Sequence, residues 1–171
     1  LWDGQQLHGL NASGSAPAAW TREYFVRKHG AQSLPQRGWD TVTVSGAVSA
    51  WVALSRRFGK LPFEQLLAPA AETAERGYAV PVVVQQKWQL ASQVATLTSQ
   101  PGFAATFLPK GRAPNVGERF AMPHAARALR LIAKSGGEAF YRGEIAAALA
   151  AYAREHGGAL TEADLAAYQP E

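Results

Sequence analysis

The chain has 171 residues, 47% hydrophobic and 18% charged, enough to bury a core as an ordinary globular protein. Its 17 lysines and arginines against 13 acids give a net charge of +4, but the bases are scattered rather than gathered into an aromatic-interleaved stripe, so no nucleic-acid partner is expected. The absence of cysteine excludes disulfides, zinc–thiolate sites and cysteine nucleophiles, and no apolar run approaches the roughly 18–20 residues that span a bilayer. The chain opens on Leu1 with no basic, apolar leader behind it, so either a leader has been removed or this is an internal fragment, the reading favoured here.

In chain order, residues 2–17 are polar, with Asp3-Gly4 and Ser13-Gly14 as turn dipeptides. Residues 18–28 place Trp20, Tyr24 and Phe25 on one helical face, and Gly30 can end that helix. Val42 and Val44 alternate among threonines and predict a short strand within 38–44. Ser45-Gly46 then leads into a helix over 47–58, with Trp51, Val52, Leu54, Ser55 and Phe58 as its buried stripe. Pro69 lacks an amide donor and clashes one turn back, so 62–76 is predicted as two helices, the first through Leu67 and the second starting with Pro69 in its first turn. Gly77 occupies the place of a left-handed cap.

A helix is predicted from Val82 onward, because Trp88, Leu90, Ala91, Val94, Ala95 and Leu97 fall at helical spacing despite the β-branched run 82–84. The proline- and glycine-rich stretch 101–122 predicts an ordered surface excursion with small strands. Pro123 begins a helix that ends at Gly136-Gly137, and a short helical turn follows over 138–141. An alanine-rich helix over 143–156 points Ile145, Leu149 and Tyr152 inward, and Thr161 caps the last helix through the Asp164 amide. The five tryptophans are expected in the core. The fold class is therefore mainly α with a few short strands.

Chemistry-bearing patterns are sparse. His8, His29, His124 and His156 show no metal spacing; His29 and His156 suit helix ends, His124 the surface, and His8 alone invites attention. There is no GxSxG elbow and no phosphate loop, and the carboxylate pairs Glu72/Glu75 and Glu162/Asp164 have structural explanations. No metal or cofactor is implied. The residues alone describe a helical piece without a self-sufficient catalytic centre.

Seven short motifs, each weak alone, occur in one order: residues 11–17 (NASGSAP), 42–48 with Trp51, 58–63 (FGKLPF), 66–70 (LLAPA), 74–80 (AERGYAV), 111–117 (GRAPNVG), and the closing 140–168 pattern of helix, glycine stop and capped helix. Together they resemble the large subunit of the γ-glutamyltransferase (γ-glutamyltranspeptidase) family over nearly the whole chain. The resemblance implies an αββα N-terminal-nucleophile hydrolase fold, of which residues 1–171 would be one helical region of the large subunit. Sheet strands N-terminal to it and a small subunit led by a nucleophilic threonine beyond Glu171 would lie outside this chain. It further implies self-processing, an acyl-enzyme on that threonine, a small γ-glutamyl or other amide substrate, and a periplasmic or secreted location; the lack of cysteine fits periplasm and cytoplasm equally well. Catalytic residues within 1–171 are then none, and the isolated chain is expected to be inactive.

One family contact falls inside this chain by the resemblance. Typical members carry Arg-x-x-Ala-Pro, whose arginine grips the donor α-carboxylate, a task suited to a bidentate fork. Aligned on Ala16-Pro17, that position is Ser13, which points away from glutathione and toward acylase or amidohydrolase relatives. Asn11, Ser13 and Ser15 are the candidate substrate-facing residues. The competing expectation is a stand-alone helical module that binds a peptide or an anionic partner.

Overall fold

A computed structural model describes residues 1–30 and 34–171. Its helices are α1 (Arg22–His29), α2 (Ala47–Phe58), α3 (Phe63–Arg76), α4 (Val82–Ala91), α5 (Ala95–Thr98), α6 (Phe103–Phe107), α7 (Pro123–Ser135), α8 (Glu138–Tyr141), α9 (Glu144–Glu155) and α10 (Glu162–Ala167). Two short strands, β1 (Tyr78–Ala79) and β2 (Arg119–Phe120), pair antiparallel, with Tyr78 opposite Phe120. The mainly helical class is therefore observed. The chain divides into two compact units, Leu1–Leu66 with Leu131–Glu171, and Leu67–Arg130.

The first unit opens with a hairpin in which Trp2 bridges Leu7. Asp3 closes it by accepting the amides of Gln5 and Gln6 at 2.8 Å, so the Asp3-Gly4 turn forms as expected. Thr21 caps α1 by accepting the Tyr24 amide. The core of this unit comprises Val44, Val48, Ile132, Ala133, Tyr141, Ala146, Ala150, Ala153, Leu160, Leu165 and Tyr168. Helices α8, α9 and α10 pack on one another, and the face of α9 turned inward is Ala146, Ala150 and Ala153. Ile145 and Leu149 are only half-buried and Tyr152 is 40% exposed, so the inward stripe differs from the expected one. Small side chains win that face because they let neighbouring backbones approach closely. Thr161 and Asp164 form the full capping box at the start of α10.

Four further expectations are corrected. Residues 39–41 form a 3-10 turn instead of a strand, because the Thr41 and Val42 amides donate to the Gly38 and Trp39 carbonyls at 3.1 Å, which withdraws both amides from any ladder, and the Thr41 hydroxyl adds a bond to the Gly38 carbonyl at 2.8 Å. Helix α2 buries Val48 rather than Trp51, which is 42% exposed; Gly137 admits this phase, since a β-carbon there would lie 2.9 Å from Val52. Helix α3 runs unbroken through Pro69. Both Gln65, whose carbonyl loses its amide partner, and Pro69 are exposed, so water can satisfy the freed oxygen. No tryptophan is buried: Trp2 is 63% exposed, and Trp20, Trp39 and Trp88 are half-buried.

In the second unit Ala71, Val80, Ala113, Phe120 and Ala126 form the core. Gly77 ends α3 with φ +78° and carries its left-handed cap as expected. The helix from Val82 is interrupted at 92–94, where the Ser92 hydroxyl donates back to the Gln89 carbonyl, and the 101–122 excursion contains α6 as well as β2.

Candidate functional site

Asn11, Ser13 and Ser15 lie on an irregular strip, residues 11–17, within the first unit. All three are exposed while the intervening Ala12 and Gly14 are half-buried, so a period of two puts the candidates on one side. The strip's backbone is fixed at several points. Asn11 and Glu171 exchange amide-to-carbonyl bonds at 2.6 and 2.9 Å, and the Val44 amide donates to the Ser15 carbonyl at 3.0 Å. The Ala18 amide donates to Asp164 at 2.8 Å, and the Tyr168 hydroxyl reaches the Ser13 carbonyl at 3.5 Å.

Ser13-Gly14-Ser15 is thus no turn, and Gly14 serves close approach. A β-carbon at Gly14 would lie 1.3 Å from the Val44 carbonyl oxygen, and one at Gly46 would lie 2.0 Å from the Ala12 carbonyl oxygen. A glycine on each segment therefore meets the backbone of the other across the contact between residues 11–15 and 44–46. Tyr141, itself buried, fixes the second segment: its hydroxyl donates to the Ser45 carbonyl at 2.8 Å and accepts the Ser49 amide at 3.0 Å.

Asn11 Oδ1 accepts the Ser13 amide at 3.0 Å, so its side chain shapes the strip. The hydroxyls of Ser13 and Ser15 have no partner among the described residues and are available to a ligand. Position 13 offers one neutral donor and acceptor where a guanidinium would offer charge. Asp164 anchors the strip's end. Burial alone would raise its pKa, but the Thr161 hydroxyl and the Ala18 and Thr161 amides outweigh that and hold it below the usual carboxylate range.

A polar cluster missed by sequence reading attaches α1, which follows the strip and buries no residue of its own. The carboxylate of Asp40, 8% exposed, accepts the Tyr24 hydroxyl at 2.7 Å, pairs with the Lys28 ammonium at 2.8 Å and bonds His29 Nε2 at 2.6 Å. His29 is thus a partner of a buried acid rather than a simple helix-end cation. Burial would raise the Asp40 pKa, but the bonds from Lys28, His29 and Tyr24 prevail and lower it. A lowered pKa means that the carboxylate's contribution is complete above the unfolded value near 4 and is lost as pH falls through the folded value. The protection factor of the α1 amides, their slowing relative to an unstructured amide at the same pH, is therefore expected to hold from neutral pH down to about pH 4 and to fall only in more acid solution, a transition that Asp40→Asn should abolish. Loss of protection near pH 6 instead would assign the attachment to another group.

His8 bonds Asp3 through Nε2 at 2.7 Å and meets an Arg57 guanidinium nitrogen at Nδ1, 3.0 Å away, which ties the hairpin to α2. His124 is exposed, and His156 packs edge-on against Tyr152. Among the described residues no group of three or more His, Asp or Glu could hold a metal ion, and no helix is long and apolar enough to cross a membrane.

The profile of the family described as Gamma-glutamyltranspeptidase matches residues 1–171. Among similar proteins, the oxamate amidohydrolase proenzyme of Klebsiella pneumoniae is 39% identical over a 166-residue alignment that covers 94% of this chain and 30% of that one. The glutathione hydrolase-like YwrD proenzyme of Bacillus subtilis is 33% identical over 162 residues, again 94% of this chain and 30% of that one. Among solved structures, cephalosporin acylase from Bacillus halodurans superposes with a TM-score of 0.95 at 44% identity, over 99% of this chain and 32% of its own. γ-Glutamyltranspeptidase from Pseudomonas nitroreducens, complexed with L-DON, gives 0.83 at 32% identity, over 95% of this chain and 47% of its own. The chain spans about 30% of the length of these curated relatives. The ordered motifs, the helical architecture and the match from the first residue to the last converge: this chain belongs to the gamma-glutamyltranspeptidase family.

Proposed function

We propose that residues 1–171 are a helical region of the large subunit of an amide-hydrolysing or acyl-transferring enzyme, and that the strip carrying Asn11, Ser13 and Ser15 forms part of its acyl-donor edge. The observation that carries this reading is the strip itself. Its backbone is held on Val44 through Gly14, while the Ser13 and Ser15 hydroxyls stay unpaired and exposed. Held backbone with free side-chain donors suits orientation of a substrate by a rigid scaffold.

The nucleophile would be a threonine on a second subunit, produced by self-cleavage of a precursor. Its own α-amine would act as base for its hydroxyl, which attacks the amide carbonyl, expels the amine and leaves an acyl-enzyme for water or an acceptor amine to resolve. Ser13 would meet the acyl portion of the donor. With a hydroxyl there instead of a guanidinium, the preferred donor would lack the free α-carboxylate of a γ-glutamyl group. Relatives named as an oxamate amidohydrolase and acylases support that direction. The proenzyme names support a processed, two-subunit parent, for which a periplasmic or secreted location is proposed. Membership of an enzyme family weighs against the stand-alone binding module.

The intact source protein, measured by mass spectrometry under denaturing conditions, is expected to give two species, the smaller beginning with threonine. A single species with no downstream threonine would end the catalytic reading. The 171 residues alone are expected to release no nitroaniline from γ-glutamyl-p-nitroanilide.

A further inference from the structure

Besides Val44, the strip and the residue after it are met by residues 164–171, which run antiparallel to them. Ala18 lies at Asp164, Ser13 near Tyr168 and Asn11 at Glu171. The Ala18 amide donates to Asp164 Oδ1 at 2.8 Å, the Tyr168 hydroxyl reaches the Ser13 carbonyl at 3.5 Å, and Asn11 and Glu171 exchange amide-to-carbonyl bonds at 2.6 and 2.9 Å. This second segment is itself fixed. Leu165 is 1% exposed and Tyr168 8%, α10 packs on α8 and α9, and Arg142 donates to the Ala166 carbonyl at 2.8 Å. Gly46 leaves room for the Tyr168 hydroxyl, which would stand 2.6 Å from a β-carbon there. A segment anchored in the core and bonded to both ends of the strip acts as a rigid strap.

Asp164 makes the shorter of the two side-chain links, and its carboxylate divides its oxygens between two tasks. Oδ2 accepts the Thr161 amide at 2.9 Å and the Thr161 hydroxyl at 2.6 Å, which closes the start of α10. Oδ1 is left for the Ala18 amide. The helix cap needs only the first oxygen, so the second serves the strip, and its charge makes that bond stronger than a neutral acceptor would.

We propose that Asp164 is a positioning residue for the acyl donor: through the Ala18 amide it holds the strip in the place from which the Ser13 and Ser15 hydroxyls meet the donor. This role presupposes the donor-edge reading of the strip. Asp164 touches no donor; it acts through backbone, and a small misplacement of a substrate contact is enough to weaken it. Three variants of the intact protein separate positioning from stability. Asp164→Ala should raise the KM for γ-glutamyl-p-nitroanilide about fivefold, and should speed amide exchange at residues 11–18, followed by mass spectrometry, about tenfold. Asp164→Asn keeps an oxygen for the Ala18 amide and a donor for the Thr161 hydroxyl, and should restore most of both. Thr161→Ala weakens the α10 cap but spares the Ala18 bond, so it should lower stability and leave KM and strip exchange unchanged. Loss of folded enzyme alone would lower the apparent kcat at constant KM. Strip exchange unaffected by Asp164→Ala would overturn the strap, whatever the kinetics. Faster exchange with an unchanged KM would leave the strap standing but overturn the positioning role together with the donor-edge reading.

Discussion

Gly14→Ala is expected to destabilise the protein by about 3 kcal/mol or more, while Gly9→Ala changes stability by less than about 0.5 kcal/mol. The added methyl at position 14 would sit 1.3 Å from the Val44 carbonyl oxygen, far inside contact distance. The obstacle is backbone, so no rotamer change can relieve it, and Val44 is 1% exposed with no room to withdraw. Residues 11–15 must lift away, which breaks the bond from the Val44 amide to the Ser15 carbonyl and leaves a buried donor unpaired. Gly9 has nothing within 4 Å of its would-be β-carbon, so the comparison isolates the contact from the general effect of losing a glycine. Thermal and urea unfolding of the two variants measure the difference. An alanine tolerated at position 14 would mean that the strip does not rest on Val44, and the donor edge would lose its scaffold.

Much of the helical body was legible because its signals are local. Pro123 at a helix start, Gly77 at a helix end and the Thr161–Asp164 box each act within one turn, and each appears as read. Pro69 misled because its cost depends on whether the freed Gln65 carbonyl meets water, and exposure is a tertiary property. The alanine face of α9 misled for a related reason. Periodicity marks the large apolar residues, but close helix contact selected the small ones.

The candidate strip came from the family pattern, and alternation along it explains why Asn11, Ser13 and Ser15 emerge on one side. Local sequence mistook Gly14 for a turn residue, since a turn and a close backbone approach call for the same amino acid. Its partner Val44 is distant in sequence, as is Asp40 from Tyr24, and no short-range pattern announces either contact. The tryptophans were assigned to a core by size alone. Their exposure shows that apolar bulk gives no destination without knowledge of what it packs against.

The assignment of the donor edge rests on position 13, and Ser13→Arg in the intact protein tests it most directly. Ser13 is exposed, so an arginine can be accommodated without displacing the strip. If Ser13 stands where related enzymes hold a donor α-carboxylate, the new guanidinium gains a charge-assisted, bidentate contact with γ-glutamyl substrates. Steady-state kinetics with γ-glutamyl-p-nitroanilide should then show a KM about tenfold lower or better, since hydrogen bonds to charged groups contribute about 1.5–3 kcal/mol. An acyl anilide without an α-carboxylate should gain nothing. An unchanged KM for the γ-glutamyl donor would contradict the placement of residues 11–15 at the substrate.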